Sequence, residues 1–145
     1  MKQLFLILGL AVCLNAQPVP EQQAVRRAAL DYIDALYNAD PSLIERSVHK
    51  DLDKRGFYWE NEAYKEGRMS YAELFKLAGT WNQGDKRKLA QAARDVTVFE
   101  VNDQTASAKV TAQWGLDYLL LAKYEGRWKI IEIVWQSPPK KPGTN

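Results

Sequence analysis

The chain has 145 residues, and its 20 basic and 18 acidic side chains leave a formal net charge of +2. A chain of this length is one domain that buries about two thirds of its unfolded surface, enough for an ordinary core without disulfide or metal staples. Its positive charges form no basic block: Lys86-Arg87-Lys88 and Lys140-Lys141 are short runs that read as solvated surface, so nucleic acid is excluded as a partner.

Residues 1–16 combine a basic start at Lys2, an apolar run from Leu4 to Leu14 and small or polar residues at Asn15-Ala16, the pattern of a secretory signal peptide. The run is far shorter than the roughly 20 residues that span a bilayer, so no membrane span is expected and the mature chain is secreted or periplasmic. Cleavage after Ala16 removes Cys13, the only cysteine, and with it any disulfide or thiol chemistry. Lipoprotein processing at Cys13 is the rival reading, disfavoured because Val12 is bulkier than the small residue such processing needs. The folded domain is expected over 17–137, with 138–145 as a polar, proline-rich disordered tail.

From Glu21 to Asn38, apolar residues at Val25, Ala29, Tyr32, Ile33, Leu36 and Tyr37 predict a long amphipathic helix. Asp40 caps a second, short helix that opens on Pro41 and ends near His49. A strand is expected over Asp53 to Trp59, a polar loop over Glu60 to Arg68, and a third helix from Ser70, with Glu73 completing a capping box, to about Leu77. Asn82 to Leu89 reads as a charged loop, and strands follow from Asp95, the first pair turning at Asn102-Asp103-Gln104.

The last two strands are the most informative. In Thr105 to Trp114, Ala106, Ala108, Val110, Ala112 and Trp114 share one face, the mark of a half-buried strand. Leu116 to Tyr124 and Arg127 to Trp135 are apolar at both parities, with Glu125-Gly126 as a two-residue hairpin turn between them. Taken without a bulge, that hairpin sets Tyr124 opposite Arg127, Leu119 opposite Glu132 and Asp117 opposite Val134. Asp117 and Glu132 are then diagonal neighbours on one face, about 7–8 Å apart. Runs of helix followed by runs of strand argue an α+β fold with an antiparallel sheet. The doubly apolar strands call for cover on both sides, most economically by a twin subunit in a homodimer.

Element order and particular residues resemble the cone-shaped nuclear transport factor 2-like superfamily, and within it the SnoaL-like branch described as Putative lumazine-binding. The carrying segments are Tyr32-Ile33-Asp34-Ala35-Leu36-Tyr37-Asn38-Ala39-Asp40, then His49-Lys50-Asp51-Leu52-Asp53-Lys54-Arg55, and the hairpin from Asp117-Tyr118 to Gly126-Arg127-Trp128-Lys129-Ile130. Lys50 stands where proline is usual, and Leu120 where the branch often has histidine. The resemblance implies a cystatin-like α+β roll, three N-terminal helices on a curved antiparallel sheet, with a largely apolar cavity in the open end of the cone. In similar proteins such as ketosteroid isomerase and scytalone dehydratase, that cavity performs acid–base chemistry.

A carboxylate in an apolar pocket has a raised pKa and can shuttle a proton, which makes Asp117 and Glu132 candidate catalytic groups. The competing reading places them on a wet sheet face or in pairs with Arg55, Arg68 or Arg94. His49, the only histidine, is a candidate base oriented by Asp51, or else a side chain at the end of the second helix that meets its last carbonyls. A single histidine argues against a metal site. No phosphate loop, Ser-His-Asp order or paired-cysteine motif is present, so no cofactor is expected. Tyr32, Leu36, Tyr58, Trp59, Trp114, Tyr118 and Trp135 are the candidate lining of a pocket for a small apolar or aromatic ligand. The sequence therefore favours a small-molecule-binding domain; an acid–base enzyme and a sheet-mediated interaction module are the alternatives.

Overall fold

The computed structural model of the protein describes residues 19–138. The predicted signal peptide, Cys13 and all of the tail beyond Pro138 lie outside the described residues.

Helix α1 (Val19–Tyr37) buries Val25, Ala28, Ala29, Tyr32, Ile33, Leu36 and Tyr37, as their three- and four-residue spacing dictates. It is fixed to the sheet by polar bonds as well as by packing. Arg26 donates to the Val96 carbonyl at 2.6 Å, and the Tyr37 hydroxyl donates to Ala93 O at 2.7 Å. Buried Asp31 accepts two bonds from Arg46, at 2.6 and 2.7 Å, which ties helix α2 (Ser42–Ser47) against α1. The Asp40 carboxylate caps α2 as expected, accepting from the backbone and hydroxyl of Ser42. Helix α3 (Tyr71–Thr80) carries the predicted capping box between Ser70 and Glu73.

Six strands form one sheet: β1 (Val48–Glu60), β2 (Ala63–Met69), β3 (Asp95–Val101), β4 (Thr105–Ala112), β5 (Gly115–Tyr124) and β6 (Arg127–Gln136). Their spatial order is β2-β1-β6-β5-β4-β3, antiparallel throughout except for the parallel β1–β6 pair. The helices lie on one face, α1 against β3, β4 and β6, and α3 against β1. The core is this helix–sheet interface, an α+β cone of the expected class.

Three expectations are corrected. First, the predicted loop Glu60 to Arg68 is the edge strand β2, paired with β1 through a turn at Asn61 and Glu62, both with positive φ. Most of its residues are exposed, so its sequence, AYKEGRM, lacks the alternation that marks a half-buried strand. Its charges protect the open edge from pairing with another chain. Second, His49 does not end α2. It lies in β1, stacked on Tyr124 with ring centroids 4.3 Å apart.

The third correction is one of register. The β5–β6 hairpin turns at Glu125-Gly126 as expected, both residues with positive φ, and starts with Tyr124 opposite Arg127. A bulge then intervenes: Leu121 pairs with Ile130 but Leu120 pairs with Glu132, so Ile131 is extra. Beyond it every partner shifts by one, and Asp117 faces Trp135 instead of Val134. Because side chains alternate with period two, that single residue sends Glu132 to the face opposite Asp117.

A polar triad beneath an aromatic cavity

The cavity of interest lies between the concave sheet face and helices α1 and α3. It measures about 130 Å³ and is lined by Tyr32 and Leu36 of α1, Lys54 of β1, Met69 at the end of β2, Leu74 and Leu77 of α3, and Trp81, Trp114 and Trp135. Tyr32, Leu36, Lys54 and Leu74 are buried, whereas Met69, Leu77, Trp81, Trp114 and Trp135 retain some exposure. The cavity therefore has a buried inner end and an aromatic mouth that reaches solvent.

The walls are held by ring contacts. Trp114 meets Tyr32, Tyr37 and Trp81 edge to face at 5.7, 5.7 and 5.5 Å, and Tyr37 stacks on Trp81 at 6.1 Å. Such pairs add about 0.5–1.5 kcal/mol each beyond burial and fix ring orientation. Tyr58 stacks on Trp135 at 6.3 Å, backing that wall without lining the cavity. On β1, Gly56 makes room for this arrangement, since a Cβ there would fall 2.1 Å from the Trp135 carbonyl oxygen.

The inner end holds the only charged group of the lining. Lys54 Nζ donates to the Tyr32 hydroxyl at 2.8 Å and to Asp117 Oδ2 at 3.4 Å, while Tyr32 donates to the same oxygen at 2.6 Å. Trp114 Nε1 donates to Asp117 at 3.2 Å. Asp117 is 0% exposed, yet it is stabilised by an ammonium, a phenol and an indole, as a buried carboxylate requires. Burial lowers the pKa of Lys54, opposed by the nearby Asp117 charge. Burial, reinforced by Asp117, raises that of Tyr32 well above its ordinary value. Tyr32 thus stays a phenol, taking a bond from Lys54 and passing one to Asp117. The ammonium ion has three N–H donors, two of them engaged within this triad.

The sequence candidates divide among three places. Tyr32, Leu36, Trp114 and Trp135 line the cavity, with Asp117 directly behind Tyr32 and Lys54. Tyr118 is 51% exposed on the opposite sheet face, and Trp59 packs edge to face on Tyr64 near the β1–β2 turn, so neither lines the cavity. Glu132 lies on the outer face, bonded at 3.2 Å to Arg55, which also pairs with Asp53. Asp117 therefore has a tyrosine, Tyr32, within hydrogen-bond reach, whereas Glu132 is on the other sheet face and His49 stacks on Tyr124. Among the described residues no cluster of three metal-ligating side chains occurs, and no helix is long and apolar enough to cross a membrane.

Lys54 is the residue that sequence reasoning missed. Flanked by Asp53 and Arg55, it reads as one member of an exposed charged run. The available signal was parity: Leu52, Lys54 and Gly56 alternate with Asp53 and Arg55, and all three are buried. Met69, Leu74 and Leu77 were also missing from the expected lining, because they are aliphatic or thioether side chains from the end of β2 and from α3 and carry no aromatic mark.

Fold and cavity define a cone-shaped α+β roll of the nuclear transport factor 2-like, cystatin-like type. The family profile described as Putative lumazine-binding matches residues 20–136, and the chain belongs to that family. Among solved structures, a nuclear transport factor 2-like protein of unknown function from Shewanella baltica OS155 is similar at 15% identity and a TM-score of 0.61, over 87% of this chain and 100% of that one. One from Methylobacillus flagellatus KT is similar at 15% identity and 0.61, over 85% and 96%. A naphthalene 1,2-dioxygenase structure with indole bound in the active site contains a chain similar at 14% identity and 0.55, over 90% and 86%. At these identities the likeness is one of fold. A search of curated proteins finds none that matches.

Proposed function

We propose that the protein binds a small, flat, largely apolar or aromatic molecule in the Tyr32–Trp135 cavity, with a carbonyl or carboxylate oxygen of the ligand received by Lys54, and without catalysing its conversion to a released product. The observation that carries this reading is a single buried ammonium at the closed end of an otherwise apolar, aromatic-walled cavity. Apolar walls supply affinity, and one charged donor supplies orientation. A dry cavity of about 150 Å³ is known to accept benzene, so one of about 130 Å³ suits one aromatic ring, with any second ring reaching toward the mouth. An acid–base enzyme with Asp117 or Glu132 as base is less well supported, since Tyr32 and Lys54 separate Asp117 from the cavity and Glu132 lies on the other face.

Titration of the cavity tryptophans' fluorescence with benzoate, naphthoate, lumazine and a flavin tests the reading. Saturable quenching by at least one of them is expected, and no response from any at millimolar concentration refutes it. We further propose export through the N-terminal segment and a homodimer through the outer sheet face, where Tyr118, Leu120 and Val134 are exposed. The mass of the mature N-terminus, and the solution mass of the protein against that of Leu120→Glu, check these two points.

A further inference from the structure

We propose that Lys54 is a covalent amine site: its Nζ condenses reversibly with the carbonyl carbon of an aromatic aldehyde or ketone seated in the cavity, forming a protonated imine and releasing water. This rests on the binding reading above and goes beyond it, because it assigns the ligand's reactive group and the bond formed.

The placement is what an amine nucleophile needs. Lys54 lines the cavity and its Nζ lies 5.5 Å from the ring centroid of Trp135, another lining residue, so a carbonyl seated against that ring and received by Nζ has its carbon beside the nitrogen. Proton acceptors lie on the far side: Tyr32 Oη at 2.8 Å and Asp117 Oδ2 at 3.4 Å, the latter also bonded to Tyr32 at 2.6 Å. One ammonium proton passes to Asp117, directly or by relay through the Tyr32 hydroxyl. The freed lone pair attacks the carbonyl carbon, a C–N bond forms, and the C=O π electrons move to oxygen. That oxygen takes the proton back from Asp117 and a second proton from nitrogen, then leaves as water as the nitrogen lone pair closes the C=N bond. Ammonium plus carbonyl thus becomes iminium plus water, with no change in charge and no oxidant or reductant. The product keeps a positive nitrogen beside Asp117, so the buried ion pair survives the reaction.

Two further features favour the amine. Desolvation makes the neutral form of Lys54 more accessible than that of a solvated lysine. The aromatic walls also limit the water that would hydrolyse the imine.

The test uses the full chain with benzaldehyde and sodium cyanoborohydride near neutral pH, read by intact mass and peptide mapping, with benzyl alcohol as a ligand of similar shape that cannot form an imine. The expected result is one benzyl group on Lys54, added faster than on any exposed lysine such as Lys76, because burial favours the neutral, nucleophilic amine at Lys54. Excess benzyl alcohol should slow labelling at Lys54 and leave the exposed lysines unaffected. Quenching by benzyl alcohol together with labelling confined to exposed lysines overturns the imine proposal and leaves the binding reading standing. If benzyl alcohol, benzaldehyde and the acid ligands all fail to quench the cavity tryptophans, both fall.

Discussion

Asp117→Asn tests the electrostatics of the buried triad, because the amide fills the same space and removes the charge, while one acceptor oxygen is replaced by an NH2 donor. In the native protein the Asp117 carboxylate faces Lys54 Nζ at 3.4 Å and accepts further bonds from Tyr32 and Trp114. Without it, Lys54 must either remain charged and unpaired in the interior or fold as a neutral amine. Breaking one side of a buried pair costs about 3–5 kcal/mol. The second route has a ceiling, since deprotonating a lysine that titrates near 10.4 when unfolded costs about 4.6 kcal/mol at pH 7. The two limits agree, and the expected loss near neutrality is about 3–5 kcal/mol. The sign with pH is also fixed. Burial already lowers the Lys54 pKa, and loss of the carboxylate lowers it further, so the unfolded chain binds the extra proton between that depressed value and the ordinary one. Stability therefore rises with pH across this window, more steeply in the variant than in the native protein. Near pH 10 the deficit should shrink to about 1 kcal/mol, left by weakened bonds from Tyr32 and Trp114. Urea unfolding at both pH values, followed by tryptophan fluorescence and circular dichroism, measures it. A loss below about 1 kcal/mol near neutrality, or an equal loss at both pH values, refutes the coupling of Lys54 to Asp117.

Tyr32→Phe removes the hydroxyl that Lys54 and Asp117 share, and urea unfolding should register a loss of about 1.5–3 kcal/mol, the value of hydrogen bonds to charged groups. Glu132→Gln, by contrast, perturbs a half-exposed pair with Arg55 on the outer face. It should cost at most about 1 kcal/mol and leave ligand quenching of the cavity tryptophans unchanged, which checks that the two carboxylates occupy opposite faces. Ser70→Ala deletes the cap of α3 and should cost about 0.5–2 kcal/mol by the same urea titration.

Much of the architecture was readable from local rules. The α1 stripe, the Ser70–Glu73 box, the alternation of Ala106 to Ala112 and the Glu125-Gly126 turn each depend on neighbours within a few residues, and each appears where its pattern falls. The edge strand β2 was not readable, because a strand largely exposed on both faces has no burial pattern to display.

The candidate site was half legible for a related reason. Side-chain type and face identified Tyr32, Leu36, Trp114 and Trp135, each of which lies on or next to an element whose pattern is local. Sequence alone thus determined the class of fold, the identity of the hairpin and the aromatic character of the cavity. Tertiary structure alone decided which charges are buried. One bulge residue, Ile131, set Asp117 and Glu132 on opposite faces, and the parallel pairing of β1 with β6 brought Lys54 to within 3.4 Å of Asp117 from 63 residues away. Charged side chains are interchangeable on a solvated strand, so their local pattern carries no mark of burial. Only a partner supplied by a distant strand makes burial of a lysine and an aspartate affordable, and that partner is fixed by topology.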